Sequence, residues 1–366
     1  MNKNRIESLL ATLMIQTKTY DVFDMNQFIL NELKKIKGVV SYMSEGNVYA
    51  TKGVAESYPC VVAHTDTVHE KYDNFHIFEL GDLLFSIDGN TMERVGIGGD
   101  DKVGVFVALE VIKTLDVCKV AFFRDEEHGC LGSAEADMEF FKDGEFVLQC
   151  DRQGYKDFVN DIYGCKLYSD DFSKLIAPTL KKYGRKEEDG GLTDVFQLVE
   201  NGLHSKDENS FNLCVANMSC GYYRPHSDEE FVSVSQIEKT LNMVLEIIEV
   251  AKGTVWTIED YERYASEFAR YGVDTFEDNY DDVWNHPNTR TYTDGFELDG
   301  SMGGGTEENY NTYDNHDIAN CPDCNETTQY DVHEQAPFCM GCQAYIYGTD
   351  VEGQFQVVSF NDIDYE

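Results

Sequence analysis

Positive charge is what this chain has least of: 29 Lys and Arg stand against 68 Asp and Glu, a formal net charge of −39 over 366 residues. A protein that works by gripping a phosphate backbone needs basic side chains to displace counterions, so nucleic acid is excluded as a main partner. Long apolar runs are missing too, and with them any stretch able to span a membrane. The opening MNKNRIESLLATLM has the spacing of an amphipathic helix, without the apolar core or small-residue cleavage site of a secretory signal. In that context the eleven cysteines read as reduced thiols and metal ligands rather than disulfides, and a cytoplasmic location is expected. No internal repeat is found. Gly96-x-Gly98-Gly99 lacks the Lys-Ser or Lys-Thr that a phosphate-cradling loop requires. What remains, with 42% hydrophobic residues, is enough for one substantial α/β domain plus an appendage.

The chemistry is concentrated between residues 61 and 151, which read VVAHTD, GIGGDDKVG, VAFFRDEEHG and FVLQCD in turn. Each apolar run delivers a cluster of His, Asp or Glu at its end. Short β-branched and aromatic runs such as PCVVAH and CKVAFF are expected of strands buried on both faces. Open α/β sheets bind ligands beyond the carboxyl ends of their strands, where His64, Asp66, Glu126, Glu127 and Asp151 would then converge. So many carboxylates without a Lys or Arg cluster repel one another unless divalent cations neutralise them. Imidazole with carboxylate suits zinc or a similar first-row metal. In a two-metal centre the ions lie about 3.5–4 Å apart, a separation that a bridging carboxylate enforces. A further ligand is expected from His226 in GYYRPHSDEEFV. Taken singly, His64 or His226 is better read as a hydrogen-bonded core histidine and Glu126-Glu127 as a solvated turn. Their order and placement together favour the metal.

The order HxD, DxK, DEExG, Asp, His over residues 1–250 resembles the two-zinc exopeptidases and amidohydrolases: leucine-type aminopeptidases, peptidase T, and carboxypeptidase and deacylase relatives. The resemblance implies His64 and Asp151 on one metal, Glu127 and His226 on the second, and Asp100 bridging both. Asp66 would orient the His64 ring, and Glu126 would be the general base. Asp101 competes with Asp100 for the bridge, but Lys102 sets the DxK register in favour of Asp100. Thr193-Asp194 resembles the SD or TD turn near the aminopeptidase pocket.

The same reading predicts helices over 2–14, 25–36, 101–115, 171–183 and 236–252, and a short one from 194, with Asp100 at the mouth of the third. It predicts strands over 39–49, 60–63, 118–123, 145–150, 161–168 and 212–218, and a hairpin about Gly81-Asp82. GRKEEDGG is expected to be a charged loop. Three segments follow: a catalytic domain over 1–252, an acidic linker over 253–318 with a short helix at 257–271, and a tail over 319–366. In the tail Cys321, Cys324, Cys339 and Cys342 form C-x2-C-x14-C-x2-C, the spacing of a zinc ribbon holding one structural Zn²⁺. A redox pair is the weaker alternative. The ribbon lacks a basic face, so a protein is its expected partner.

The expected fold class is α/β, with a mixed, mostly parallel central sheet flanked by helices. The interval 152–225 is too well filled by elements for the separate lid domain of the carboxypeptidase and deacylase relatives. The expected activity is therefore aminopeptidase action on short peptides by two Zn²⁺, since an acidic, lidless pocket favours a free α-ammonium. The alternatives are a deacylase, other amidohydrolase or carboxypeptidase on the same site, or a non-catalytic protein that docks through its ribbon.

Overall fold

The computed structural model describes residues 1–204 and 212–258, together with four strands between 328 and 359. In chain order the first part contains α1 (Lys3–Met14), α2 (Phe23–Lys34), β1 (Val39–Ser44), β2 (Asn47–Lys52), β3 (Tyr58–His64), β4 (Phe75–Leu80), β5 (Leu83–Asp88) and β6 (Glu93–Val95). It continues through α3 (Gly99–Thr114), β7 (Cys118–Phe123), a 3-10 turn at Glu126–His128, α4 (Leu131–Ala134), β8 (Gly144–Arg152), β9 (Asp157–Ile162), β10 (Cys165–Lys166) and α5 (Asp170–Tyr183). β11 (Lys186–Gly190), α6 (Asp194–His204), β12 (Val215–Ser219), β13 (Tyr222–Tyr223), β14 (Phe231–Ser233) and α7 (Val234–Ala251) complete it.

Nine of these strands form one mixed sheet in the order β1-β2-β7-β3-β8-β12-β9-β10, with β11 beside β9. Its centre, β7-β3-β8-β12, is parallel throughout. Every residue of β3 and β7 is buried, as strands covered on both faces require. One cover is α3, which packs on β3, β7 and β8 and is buried from Gly99 to Ile112. A helix this apolar on all sides has no solvent face to present. α7 is amphipathic instead and buries Ile237, Leu241, Val244 and Ile248. A smaller sheet, β13-β14-β5-β4 with β6 on β5, ties the segment after β12 to the loop that precedes α3.

The expected α/β architecture is present, and the described residues of the interval 152–225 form no separate lid. Its described strands β9, β10 and β11 extend the main sheet. Three local expectations need correction. The predicted strand over 39–49 is a hairpin, because Glu45 and Gly46 both take positive φ (49° and 75°) and turn the chain between β1 and β2. The predicted loop GRKEEDGG contains β11, a parallel partner of β9 whose charged side chains face solvent at the sheet margin. The predicted strand over 161–168 is likewise shorter and earlier, as β9 and β10.

All seven cysteines among the described residues up to 258 are buried thiols. No helix among the described residues is long and apolar enough to cross a membrane. The C-terminal unit contains β15 (Thr328–Asp331), β16 (Ala336–Cys339), β17 (Ala344–Gly348) and β18 (Phe355–Ser359), antiparallel in that order. Cys321, Cys324 and Cys342 lie outside the described residues, as do the Cys339 side chain and, beyond Ile258, the linker with its helix predicted over 257–271.

One close approach couples this packing to the residues at the strand ends. A Cβ on Gly104, in the first turns of α3, would lie 2.3 Å from the Asp101 carboxylate, which accepts from the Gly104 amide (2.9 Å) and the His64 amide (3.3 Å). Gly104→Ala should therefore cost about 1–3 kcal/mol by overpacking. A urea midpoint equal to that of the wild type would contradict this packing.

Candidate metal centre

Parallel strands that end together place their following residues together. His64 closes β3 beside Phe123, the last residue of β7. Beyond Phe123 the chain turns at Asp125 (φ 52°) and delivers Glu126 and Glu127 on the 3-10 turn. Asp151 lies at the end of β8, and β12 leads through Tyr222 to His226, itself in the left-handed region at φ 59°. Asp100 enters from the first turn of α3, and the Asp100–Asp101 peptide is cis.

These six side chains meet in two halves that share Asp100. In the first, His64 Nε2 lies 3.1 Å from Asp100 Oδ1, 3.6 Å from Asp151 Oδ1 and 3.9 Å from Glu126 Oε2. In the second, His226 Nε2 lies 2.9 Å from Glu127 Oε1 and 3.5 Å from Asp100 Oδ2. Two donors held at about 2.0–2.1 Å by one tetrahedral ion are roughly 3.3 Å apart, a value these spacings bracket. The donor set, imidazole and carboxylate, suits zinc or a similar first-row ion. Among the described residues, the ion pairs of these four carboxylates are with His64 and His226 alone. Buried carboxylates need compensating charge, and a pair of divalent cations, one per half, fits the residues present.

A layer of hydrogen bonds fixes this arrangement. The Asp66 backbone carbonyl accepts from His64 Nδ1 (3.1 Å), which leaves Nε2 to face the carboxylates. The fully buried Asp66 carboxylate accepts from the amides of Glu126 (2.9 Å) and Glu127 (3.3 Å) and from the Thr19 hydroxyl (2.9 Å). Asp66 thus aligns the imidazole through its carbonyl and the acidic turn through its carboxylate. Glu230 does the same for Asp100: it accepts from the Gly98 and Asp100 amides (2.6 and 3.1 Å) and is bonded to His69 Nε2 (2.8 Å). Asp151 accepts from Thr193, Gln149 and Tyr222, and its amide donates to Asn217. Asp194 accepts from Ser133 (2.6 Å) and Gln149 (3.2 Å). Lys102 points away from the cluster and donates to the carbonyls of Leu13 and Ile15 at the end of α1.

Of the residues singled out in the sequence, His64, Asp100, Glu126, Glu127, Asp151 and His226 converge, with Asp66 behind them. Asp101 supports the His64 amide rather than facing the cluster. Sequence reasoning missed Thr19, Gln149, Asn217 and Glu230; for Glu230 the available signal was an acid in the same loop as His226. Tyr222 lines the cleft, whereas Tyr223 stacks on Phe231 and Arg224 pairs with Glu229.

The protonation pattern follows from crowding. Burial opposes an imidazolium at His64, but Asp151, Asp100 and Asp66 outweigh it and raise its pKa well above the usual range. Hydrogen bonds to Asp100 and Glu127 push His226 up to about 10. Burial, reinforced by Asp151, Asp194 and Glu127, raises Glu126 well above an ordinary glutamate. Burial also raises Asp194, to about 7. Asp66 is held below the usual range, because its bond to His64 and its other donors overcome burial.

The cluster opens into a cleft of about 320 Å³, lined also by Arg152, Gly190, Gly191 and Leu192. A larger depression of about 630 Å³ lies beside α1 and α2, lined by Gln16, Phe28 and Tyr72 among others. It holds none of the convergent groups, so size alone is not the guide to chemistry here.

No family model matches the sequence, and no curated protein matches it either. Among solved structures the fold is similar to an aminopeptidase PepT from Bacillus cereus, at TM-score 0.55 and 13% identity, covering 69% of this chain and 99% of that one. A tripeptidase from Staphylococcus aureus gives TM-score 0.53 and 14% identity over 69% of this chain and 99% of that one. A TET aminopeptidase from a marine sediment archaeon (Thaumarchaeota) gives 0.50 and 12% over 72% and 100%. At such identities the likeness establishes a shared fold.

A metal entering the second half must displace the His226 proton, so its affinity depends on pH. The His226 pKa, raised to about 10, means that apparent zinc affinity should climb steadily from about pH 6 to pH 9. Competition with a chromophoric chelator, corrected for the chelator's own protonation, measures this. A slope no steeper than that of His226→Ala would contradict the assignment.

Proposed function

We propose that this chain is a two-metal peptidase that removes amino-terminal residues from short peptides. The observation that carries the reading is the division of the cluster into two halves with one Asp100 oxygen in each. His64 and Asp151 would hold one divalent ion, Glu127 and His226 the other, and Asp100 both. Such ions supply the Lewis acidity that polarises a carbonyl and lowers the pKa of water.

The chain's own residues do the rest. Glu126 reaches the cluster with its carboxylate near His64 and its amide fixed by Asp66, so it is placed to take a proton from an attacking water and pass it to the leaving amine. Its raised pKa, caused first by burial, favours proton exchange nearer neutrality than an exposed glutamate allows. Asp66 keeps His64 and Glu126 in register. Tyr222, hydrogen-bonded to Asp151, holds that carboxylate in place. The shared fold of aminopeptidases and a tripeptidase supports the peptide substrate. The absence of a separate lid among the described residues supports action at the amino end rather than at a carboxylate held by an inserted domain.

Two assays test this. Glu126→Gln should retain its metal and lose about 10²–10⁴-fold in kcat, the usual contribution of a general base; a fully active variant would remove Glu126 from the role. The wild type should cleave a peptide with a free amino terminus and spare its acetylated twin. Equal cleavage, or preference for the acetylated peptide, would favour a deacylase or endopeptidase instead.

A further inference from the structure

We infer that Arg152 binds a carboxylate on the leaving-group side of the substrate, which makes the cleft selective for short peptides that carry one just beyond the scissile bond. The inference rests on the peptidase reading above. Arg152 follows Asp151 at the end of β8, lines the same cleft, and is the one Lys or Arg among its described lining residues.

Its position is fixed by the fold. The Arg152 carbonyl accepts from the Cys220 amide (3.0 Å), its Cα pairs with Ser219 of β12, and Gly154 two residues on is bonded to both Tyr222 and Gly221. The side chain is 30% exposed, and its guanidinium Nε donates to Asp157 Oδ2 at 2.9 Å. No described residue accepts from Nη1 or Nη2, so that edge of the planar group is open. Two parallel N–H donors on one rigid plane match the two oxygens of a carboxylate. A partly exposed Arg–Asp pair contributes little to stability by itself. What Asp157 does provide is orientation, by anchoring the guanidinium at one nitrogen.

The rest of the cleft leaves room for such a ligand. Gly190 and Gly191 present no side chains, and Val159 and Leu192 present only apolar ones. At about 320 Å³ the cleft is at the small end of the roughly 300–1,000 Å³ typical of ligand sites, which suits a di- or tripeptide. With the four carboxylates compensated by metal, Arg152 is the lining cation that still has N–H donors to offer beyond its pair with Asp157. The carboxylate could belong to the peptide's own carboxyl terminus or to an acidic side chain at that residue, and Arg152 would recognise either by the same bidentate contact.

The test compares three peptides with the same amino-terminal residue: a dipeptide with a free carboxyl terminus, its carboxy-terminal amide, and an amide with Glu at the second position. The metal-loaded full-length wild type should favour at least one carboxylate-bearing peptide over the neutral amide by about 10- to 100-fold in kcat/KM. Arg152→Gln should collapse that ratio towards unity, and Arg152→Lys should restore part of it. Preference for the free dipeptide alone assigns the site to the terminal carboxylate; preference for the Glu amide assigns it to the side chain. Either result supports the inference. A wild-type ratio near unity, or a ratio that Arg152→Gln leaves intact, would overturn it while the peptidase reading stands. Absence of metal-dependent cleavage of all three peptides would overturn the peptidase reading and this one with it.

Discussion

The structure is organised around the need to compensate four carboxylates gathered where strands end. Asp100, Glu126, Glu127 and Asp151 face one another, and among the described residues only two histidines pair with them. Gathering charges of one sign out of water is costly without a counter-charge. The two histidines, whose pKa values these same acids raise, offset part of that charge, and a counter-charge from outside the chain would complete the balance. Divalent cations fit both the donor types and the spacing. Protons are the alternative, and burial with mutual repulsion raises the pKa of Glu126, Glu127 and Asp151 in the direction that favours them.

Much of the surrounding fold serves to hold these side chains still. The parallel centre of the sheet sets His64, the acidic turn and Asp151 side by side, and the smaller sheet brings the His226 loop to the mouth of α3. Three buried acids then act through their neighbours rather than on a substrate. Asp66 joins β3 to the acidic turn, Asp101 joins β3 to α3, and Glu230 joins the His226 loop to Gly98 and Asp100. Each accepts from backbone amides, so each converts the rigidity of the main chain into the placement of a ligand.

The convergence of these side chains was legible in the sequence because apolar runs and chemistry alternate so plainly there: VVA, VAFF and FVLQC each lead into a histidine or an acidic cluster. The supporting residues were not, since a lone Thr19 or Glu230 gains meaning only from a partner far away in sequence. Glu230, for example, lies 130 residues from Asp100. Lys102 was a useful marker for a reason the sequence does not state: its ammonium satisfies carbonyls at the end of α1 and locks α1 to α3. β11 escaped notice because KEEDG has neither alternation nor β-branched residues, being held by pairing to β9 rather than by burial. The hairpin at Glu45-Gly46 was hidden by strand-forming residues on both sides of a tight turn.

The central claim is that one carboxylate, Asp100, is shared by two metal ions. Zinc content of the full-length chain, measured against Asp100→Ala after equilibration with zinc and removal of the excess, tests this directly, because any metal held by the C-terminal cysteines is common to both proteins. The account predicts that the wild type retains two more zinc ions per chain than the variant. Equal contents would contradict the site, and a difference of one would contradict the bridge.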